Sequence, residues 1–123
     1  MPYSSKAVEV HTEDKTYRFS FRNRDLADLD KYLGQNHDTS AIEMMRTNAS
    51  NFDLQRALFY YAAIPHSRFQ SIGSCLDDVA PQDMQKVLEG AANALVVYFN
   101  DFGIEVDEAP DKGDAGEGAE GKG

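Results

Sequence analysis

Side-chain periodicity switches once along this 123-residue chain, and that switch constrains the fold more than any other feature. Residues 6–11 and 16–21 alternate at period two. Val8 and Val10 share a face of the first run; Tyr17, Phe19 and Phe21 share a face of the second, with Arg18, Ser20 and Arg22 opposite. Such alternation in β-branched and aromatic residues predicts strands. Polar Thr12-Glu13-Asp14-Lys15 between them suits a tight connection. An isolated hairpin is marginal in water, so its aromatic face needs another layer to cover it.

Beyond residue 22 the spacing becomes helical. Leu26, Leu29 and Leu33 place a helix over 24–35, with Gly34 at the C-terminus, where a positive φ is favoured. Ser40-Ala41-Ile42-Glu43 has the form of a capping box and starts a short helix through Met44, Met45 and Arg46. Ser50-Asn51-Phe52-Asp53 opens a third helix, stopped by Pro65. Its main stripe is Leu54, Ala57, Leu58, Tyr61 and Ala62, with Phe52, Phe59 and Ala63 beside it. Phe69, Ile72, Leu76 and Val79, behind a capping Ser67, predict a fourth. Pro81, at a favoured first-turn position, opens the longest helix, striped by Met84, Leu88, Ala91, Leu95, Tyr98, Phe99 and Phe102. Gly90 costs that helix about 1 kcal/mol relative to Ala, which points to close packing against a neighbour. The expectation is a mostly α domain over 1–102: an N-terminal β-hairpin packed on a small bundle of about five helices.

Residues 103–123 differ in composition. They hold six of the nine glycines, seven acids and two lysines, a net charge of −5 out of the chain's −9. After Val106 no large apolar side chain occurs, so nothing offsets the roughly 1–2 kcal/mol per residue that ordering costs. A disordered acidic tail is expected, acting either as a solvated terminus or as a flexible tether.

The charge balance disfavours nucleic acid and anionic membrane as partners, since both need a cationic surplus. No apolar run approaches the roughly 18 residues of a membrane span, and the first residues do not read as a signal peptide. A lone cysteine, Cys75, precludes an internal disulfide and fits a reducing, cytoplasmic setting. His11, His37 and His66 lack the spacing of a zinc helix, and the pairs Asp28/Asp30 and Asp77/Asp78 diverge around their helices. Phosphate loops and nucleophile elbows do not occur. The expectation is a non-enzyme with no cofactor and no metal.

Aromatic and apolar excess is the informative chemistry. Phe59-Tyr60-Tyr61 spreads three rings around one helix, Val97 lies off the stripe of the last helix, and Met44-Met45 offers a soft pair. Either the third helix is central and wrapped on several sides, or part of this set forms a partner-binding patch. Phe59, Tyr60, Met45 and Val97 are the candidate contributors to such a patch.

The order of Thr16-Tyr17-Arg18-Phe19, Leu29-Asp30-Lys31-Tyr32-Leu33-Gly34 and Leu54-Gln55-Arg56-Ala57-Leu58-Phe59-Tyr60, then Ser71-Ile72-Gly73 and a long Ala-rich helix, resembles the tail assembly chaperones of long-tailed bacteriophages and gene transfer agents. The resemblance spans roughly residues 6–102 and rests on loose hydrophobic patterns. It implies a protein that binds the apolar helical tape measure protein in the host cytoplasm during virion morphogenesis and is not retained in the mature virion. It also implies a longer form, made by ribosomal frameshifting, that recruits tail tube protein. Gly121-Lys122 is a dipeptide that a slippery G-run and A-run can encode. Self-association as a homo-oligomer is compatible with this reading. The alternative is a small cytoplasmic adaptor or regulatory protein whose acidic arm engages a basic partner.

Overall fold

A computed structural model describes residues 3–47 and 51–104. The expectations for most of the acidic tail, for Gly121-Lys122 and for Ser50 lie outside the described residues.

The hairpin forms where the alternation places it. Strands β1 (Val8–His11) and β2 (Thr16–Phe19) pair antiparallel, with Val8 opposite Phe19 and Val10 opposite Tyr17. Phe19 and Phe21 are fully buried and Val10 nearly so, which puts the aromatic face inward. The ladder extends at one end, where Ser5 N–H donates to Phe21 O at 2.9 Å and Ser5 Oγ accepts from Phe21 N–H at 2.8 Å. At the edge of β2, Ser20 N–H donates to Ala62 O at 2.9 Å and fastens the hairpin to the helical layer.

Among the described residues that layer has four α-helices: α1 (Asn23–His37), α2 (Ala41–Thr47), α3 (Phe52–Ala63) and α4 (Met84–Asp101). Helix α1 starts behind an acidic cap. Fully buried Asp25 accepts from the Arg22 backbone N–H at 3.0 Å and from its guanidinium at 2.8 and 2.9 Å. A bidentate guanidinium beside backbone donors makes such a buried carboxylate tolerable. The helix runs past Gly34 and ends at Asp38, whose φ of 53° supplies the left-handed cap expected of the glycine. Helix α2 begins as predicted, with Ser40 Oγ accepting from Glu43 N–H at 3.2 Å. Helix α3 is capped by Asn51 Oδ1, which accepts from Asp53 N–H at 2.8 Å.

The predicted fourth helix is absent from residues 67–79. In its place are a 3₁₀ turn at Ile72–Ser74 and further turns. Serine hydroxyls explain the difference: Ser71 Oγ accepts from Ser74 N–H at 3.3 Å while Ser74 Oγ donates to Ser71 O at 3.4 Å. These local bonds compete with a continuing helix. A second 3₁₀ turn, Pro81–Asp83, leads into α4, so the proline expected to open the long helix opens this turn and α4 itself starts at Met84.

Helix α3 occupies the centre, packed on α1, α4, β2 and the 72–74 turn. Phe19, Phe21, Leu29, Leu33, Phe59 and Leu95 form the fully buried middle of the core. The α4 face that meets the core is rotated from the predicted stripe: Val87, Gly90, Ala91, Ala94 and Leu95 are buried, whereas Met84 and Leu88 are half-buried. Gly90 lies under the hairpin. A Cβ built there would fall far inside contact with Val10 Cγ2 and 3.1 Å from Phe19 Cε2, so the close approach anticipated from this glycine is present.

Candidate functional site

The four candidate docking residues do not form one surface. Phe59 is 0% exposed, so it is removed from the docking set. Its ring meets Phe19 at 5.5 Å, Phe69 at 5.7 Å and Tyr17 at 6.3 Å, because its side of α3 is the one that receives the hairpin. Tyr60 is half-buried, edge-on to Tyr61 at 5.0 Å and tilted on Phe69 at 6.0 Å. Tyr61 turns the other way, towards Tyr32 of α1. The three consecutive rings thus fill three sides of a wrapped helix. Met45 is half-buried on α2, which packs on α1 alone among the described elements, and Val97 is half-buried on α4. The backbone of α2 does not closely approach α3 or α4, the helices that carry the others.

Exposed apolar area lies instead at the helix ends. Phe52, the first residue of α3, is 54% exposed, and Phe102, just past α4, is 53% exposed; Ile104 follows at 36%. Phe52 adjoins Asp53, which bonds to the C-terminal end of α1, while Tyr98 beside Phe102 donates its hydroxyl to Asn23 at the N-terminal end of α1. A helix of that length spans about 22 Å, which sets the two rings at opposite ends of the bundle. Sequence reading assigned both residues to buried stripes. Periodicity continues to the last turn of a helix, but the neighbours that cover a stripe do not.

The end at Phe102 is a small aromatic platform. The Tyr98 ring stands edge-on to Phe102 at 4.7 Å, and Tyr3 stacks on it at 6.0 Å with planes 26° apart. Tyr3 also donates its hydroxyl to Asp101. Burial and then that carboxylate push the Tyr3 phenol up to about 12, so it remains a donor at physiological pH. Gly103, with φ of 81°, turns the chain, and Ile104 N–H donates back to Phe99 O at 3.0 Å.

A polar cluster joins α1 to α3. The Asp53 carboxylate accepts from His37 Nε2 at 2.7 Å, from the Tyr32 hydroxyl at 2.8 Å and from Arg56 Nη2 at 2.5 Å. The His37 bond first, then those from Tyr32 and Arg56, hold Asp53 at about 2, below the usual carboxylate range. With three donors converging on it, this carboxylate is occupied and acts as a clamp. The histidine spacing gave no hint of the cluster, since His37 and Asp53 meet only through the packing of α1 on α3. Cys75 sits nearby, buried, with its thiol pushed up to about 11 chiefly by desolvation. It donates to Ile72 O at 3.2 Å and remains a protonated thiol, not a nucleophile at neutral pH. On the other side of the molecule, His66 Nε2 bonds Ser20 Oγ at 2.8 Å, but Ser20 is 1% exposed and closed to a substrate.

Among the described residues, no three His, Cys, Asp or Glu side chains gather in a way that could hold a metal ion. None of the described helices is long and apolar enough to cross a membrane. No family model, characterised protein or solved structure matches the chain.

Proposed function

We propose that this chain is a non-catalytic tail assembly chaperone, which binds the helical tape measure protein of a long-tailed phage or gene transfer agent before the tail tube polymerises. The observation that carries the reading is the pair of rings, Phe52 and Phe102, left more than half exposed at the ends of a bundle whose central ring, Phe59, is fully buried and whose neighbours Tyr60 and Tyr61 are half-buried. Burying such a ring is worth about 1.5–3 kcal/mol, an incentive that a partner helix satisfies. The hairpin followed by helices has the element order on which the resemblance rests, except that Ser71-Ile72-Gly73 begins a 3₁₀ turn and not a helix. In the same reading the protein acts in the host cytoplasm and leaves before the virion matures. A longer frameshifted form would use the Gly- and acid-rich segment as a tether that brings tail tube subunits to the tape measure.

Co-expression with the tape measure protein encoded in the same gene cluster tests this. The expected result is a soluble complex that co-purifies, weakened by Phe52→Asp and Phe102→Asp, both of which remain folded. A tape measure protein that stays insoluble and never co-purifies would refute the assignment.

A further inference from the structure

Strand β1 has an open edge. Thr12 N–H donates to Lys15 O at 2.9 Å, so the alternation of an antiparallel ladder makes Val10/Tyr17 and Val8/Phe19 its hydrogen-bonded positions. The backbone groups of Glu9 and His11 therefore point away from β2. Two other bonds agree with that register. His11 O accepts from Lys86 Nζ at 2.6 Å, and on the opposite edge of the hairpin Ser20 N–H reaches Ala62 O. Among the described residues, Glu9 N–H, Glu9 O and His11 N–H have no partner. Such an edge is a template for a strand from another chain. We propose that β1 pairs antiparallel with β1 of a second copy, about a two-fold axis at Val10, so that two hairpins join into one continuous sheet. This goes beyond the chaperone reading and does not rest on it.

The outward face of the strand selects this occupant and this register. The side chains of Glu9 and His11 are 41% and 70% exposed on that face. An axis at Val10 sets Glu9 opposite His11 of the second copy and His11 opposite its Glu9, so an acid meets a base at both positions, as a two-fold contact requires. An axis at Glu9 would instead put two carboxylates face to face. The groups are already arranged: Arg18 Nε is 2.9 Å from Glu9, and Thr16 Oγ1 is 3.0 Å from His11 Nδ1. With the Thr16 hydroxyl donating to Nδ1, the ring proton sits on Nε2. Within one chain Nε2 stays 3.7 Å from Glu9 Oε1, too far for a hydrogen bond, so it is free for the carboxylate of the second copy. Across the seam the row becomes Arg18 and Glu9 of one copy, then His11 and Thr16 of the other. Backbone bonds run both ways at each Glu9–His11 pair, and the second lone pair of His11 O lets it keep Lys86. The far edge of the hairpin is fastened to α3 through Ser20, so pairing closes at a dimer.

Sedimentation equilibrium of the full chain, up to about 1 mM to suit a small interface, tests this. The expected result is a monomer–dimer equilibrium, with exchange at the Glu9 and His11 amides slowing as concentration rises. Glu9→Lys sets a base against His11, and His11→Glu sets an acid against Glu9, so each variant alone should associate at least about tenfold more weakly. Mixed together, the two variants should form a one-to-one heterodimer, because every position of the mixed seam again pairs an acid with a base. A role confined to the stability of one hairpin would give no such rescue. Glu9→Pro removes an outward N–H without touching the ladder to β2 and should leave a folded monomer by circular dichroism. A wild-type chain that stays monomeric at every concentration would overturn the proposal, as would a dimer indifferent to Glu9→Pro, a mixture that fails to associate, or assembly beyond two copies. Glu9 and His11 amides that exchange slowly in a monomer, or only once the tape measure protein is added, would give the edge a different occupant and overturn it too.

Discussion

Replacing Gly90 by Ala sets two effects of opposite sign against each other. On an exposed helix the change would add about 1 kcal/mol of stability through backbone propensity. Here the new methyl would overlap Val10 Cγ2 and sit 3.1 Å from Phe19 Cε2. Val10 is nearly buried and Phe19 is fully buried, so neither side chain has open space to retreat into. Forcing a methyl into a filled interior costs about 1–3 kcal/mol, more when the backbone has to move. Overlap with Val10 is severe enough to place this site at the upper end, for a net destabilisation of about 1–2 kcal/mol. Urea unfolding followed by circular dichroism reads the change directly, with an unaltered denaturant slope if the fold is kept. The double variant Val10→Ala with Gly90→Ala gives the decisive comparison. Removing the Val10 methyls makes room, so the pair should be less destabilised than the two single effects added together, by about 1 kcal/mol or more. A stabilised Gly90→Ala protein, or strictly additive single effects, would refute the claim that the hairpin rests directly on α4 at this glycine.

Phe59→Asp should unfold the protein or cost at least about 3 kcal/mol, because it places a carboxylate among buried rings, whereas Tyr60→Asp at a half-buried position should leave a folded protein; thermal melts separate the two. The donors around Asp53 lower its carboxyl from the ordinary 3.8 to about 2, so its stabilisation is complete above the unfolded value and is lost as pH falls from about 4 towards 2. Screening at this partly open cluster leaves about 1–2 kcal/mol of the effect, and Asp53→Asn should lose that much at pH 7 while showing a flatter acid limb in urea titrations. Asp25→Ala should destabilise by about 3 kcal/mol in the same assay, since it leaves the Arg22 guanidinium without its buried partner and removes the acceptor for the α1 N-terminus.

Elements whose pattern is local were legible in the sequence. The hairpin and its inward face follow from alternation alone, and α2 from its cap. The mid-helix glycine announced close packing without naming the hairpin as the neighbour. The misreadings share a cause, which is that a local pattern was overruled by contacts remote in sequence or by a competing local bond. Residues 67–79 have helical spacing, yet Ser71 and Ser74 close a turn instead. Helix α1 passes Gly34 because its last turn is held by His37 on Asp53, sixteen positions away. In α4 the expected stripe is buried at Ala91, Leu95, Tyr98 and Phe99, but the buried face also takes in Val87 and Ala94, which the stripe left out, where α4 meets α3 and the hairpin. The same limit applies to the candidate surface. Three adjacent rings on α3 marked a helix with neighbours on several sides, and the rings left for a partner lie where the neighbours stop, at Phe52 and Phe102.

Hydrogen exchange on the full chain, with and without the tape measure protein, tests the central claim most directly. Binding should slow exchange at amides around 98–104 and at the start of α3, and leave the already buried middle of α3 around Phe59 unchanged. Slowed exchange confined to other surfaces, or no change anywhere when the two proteins are mixed, would contradict it.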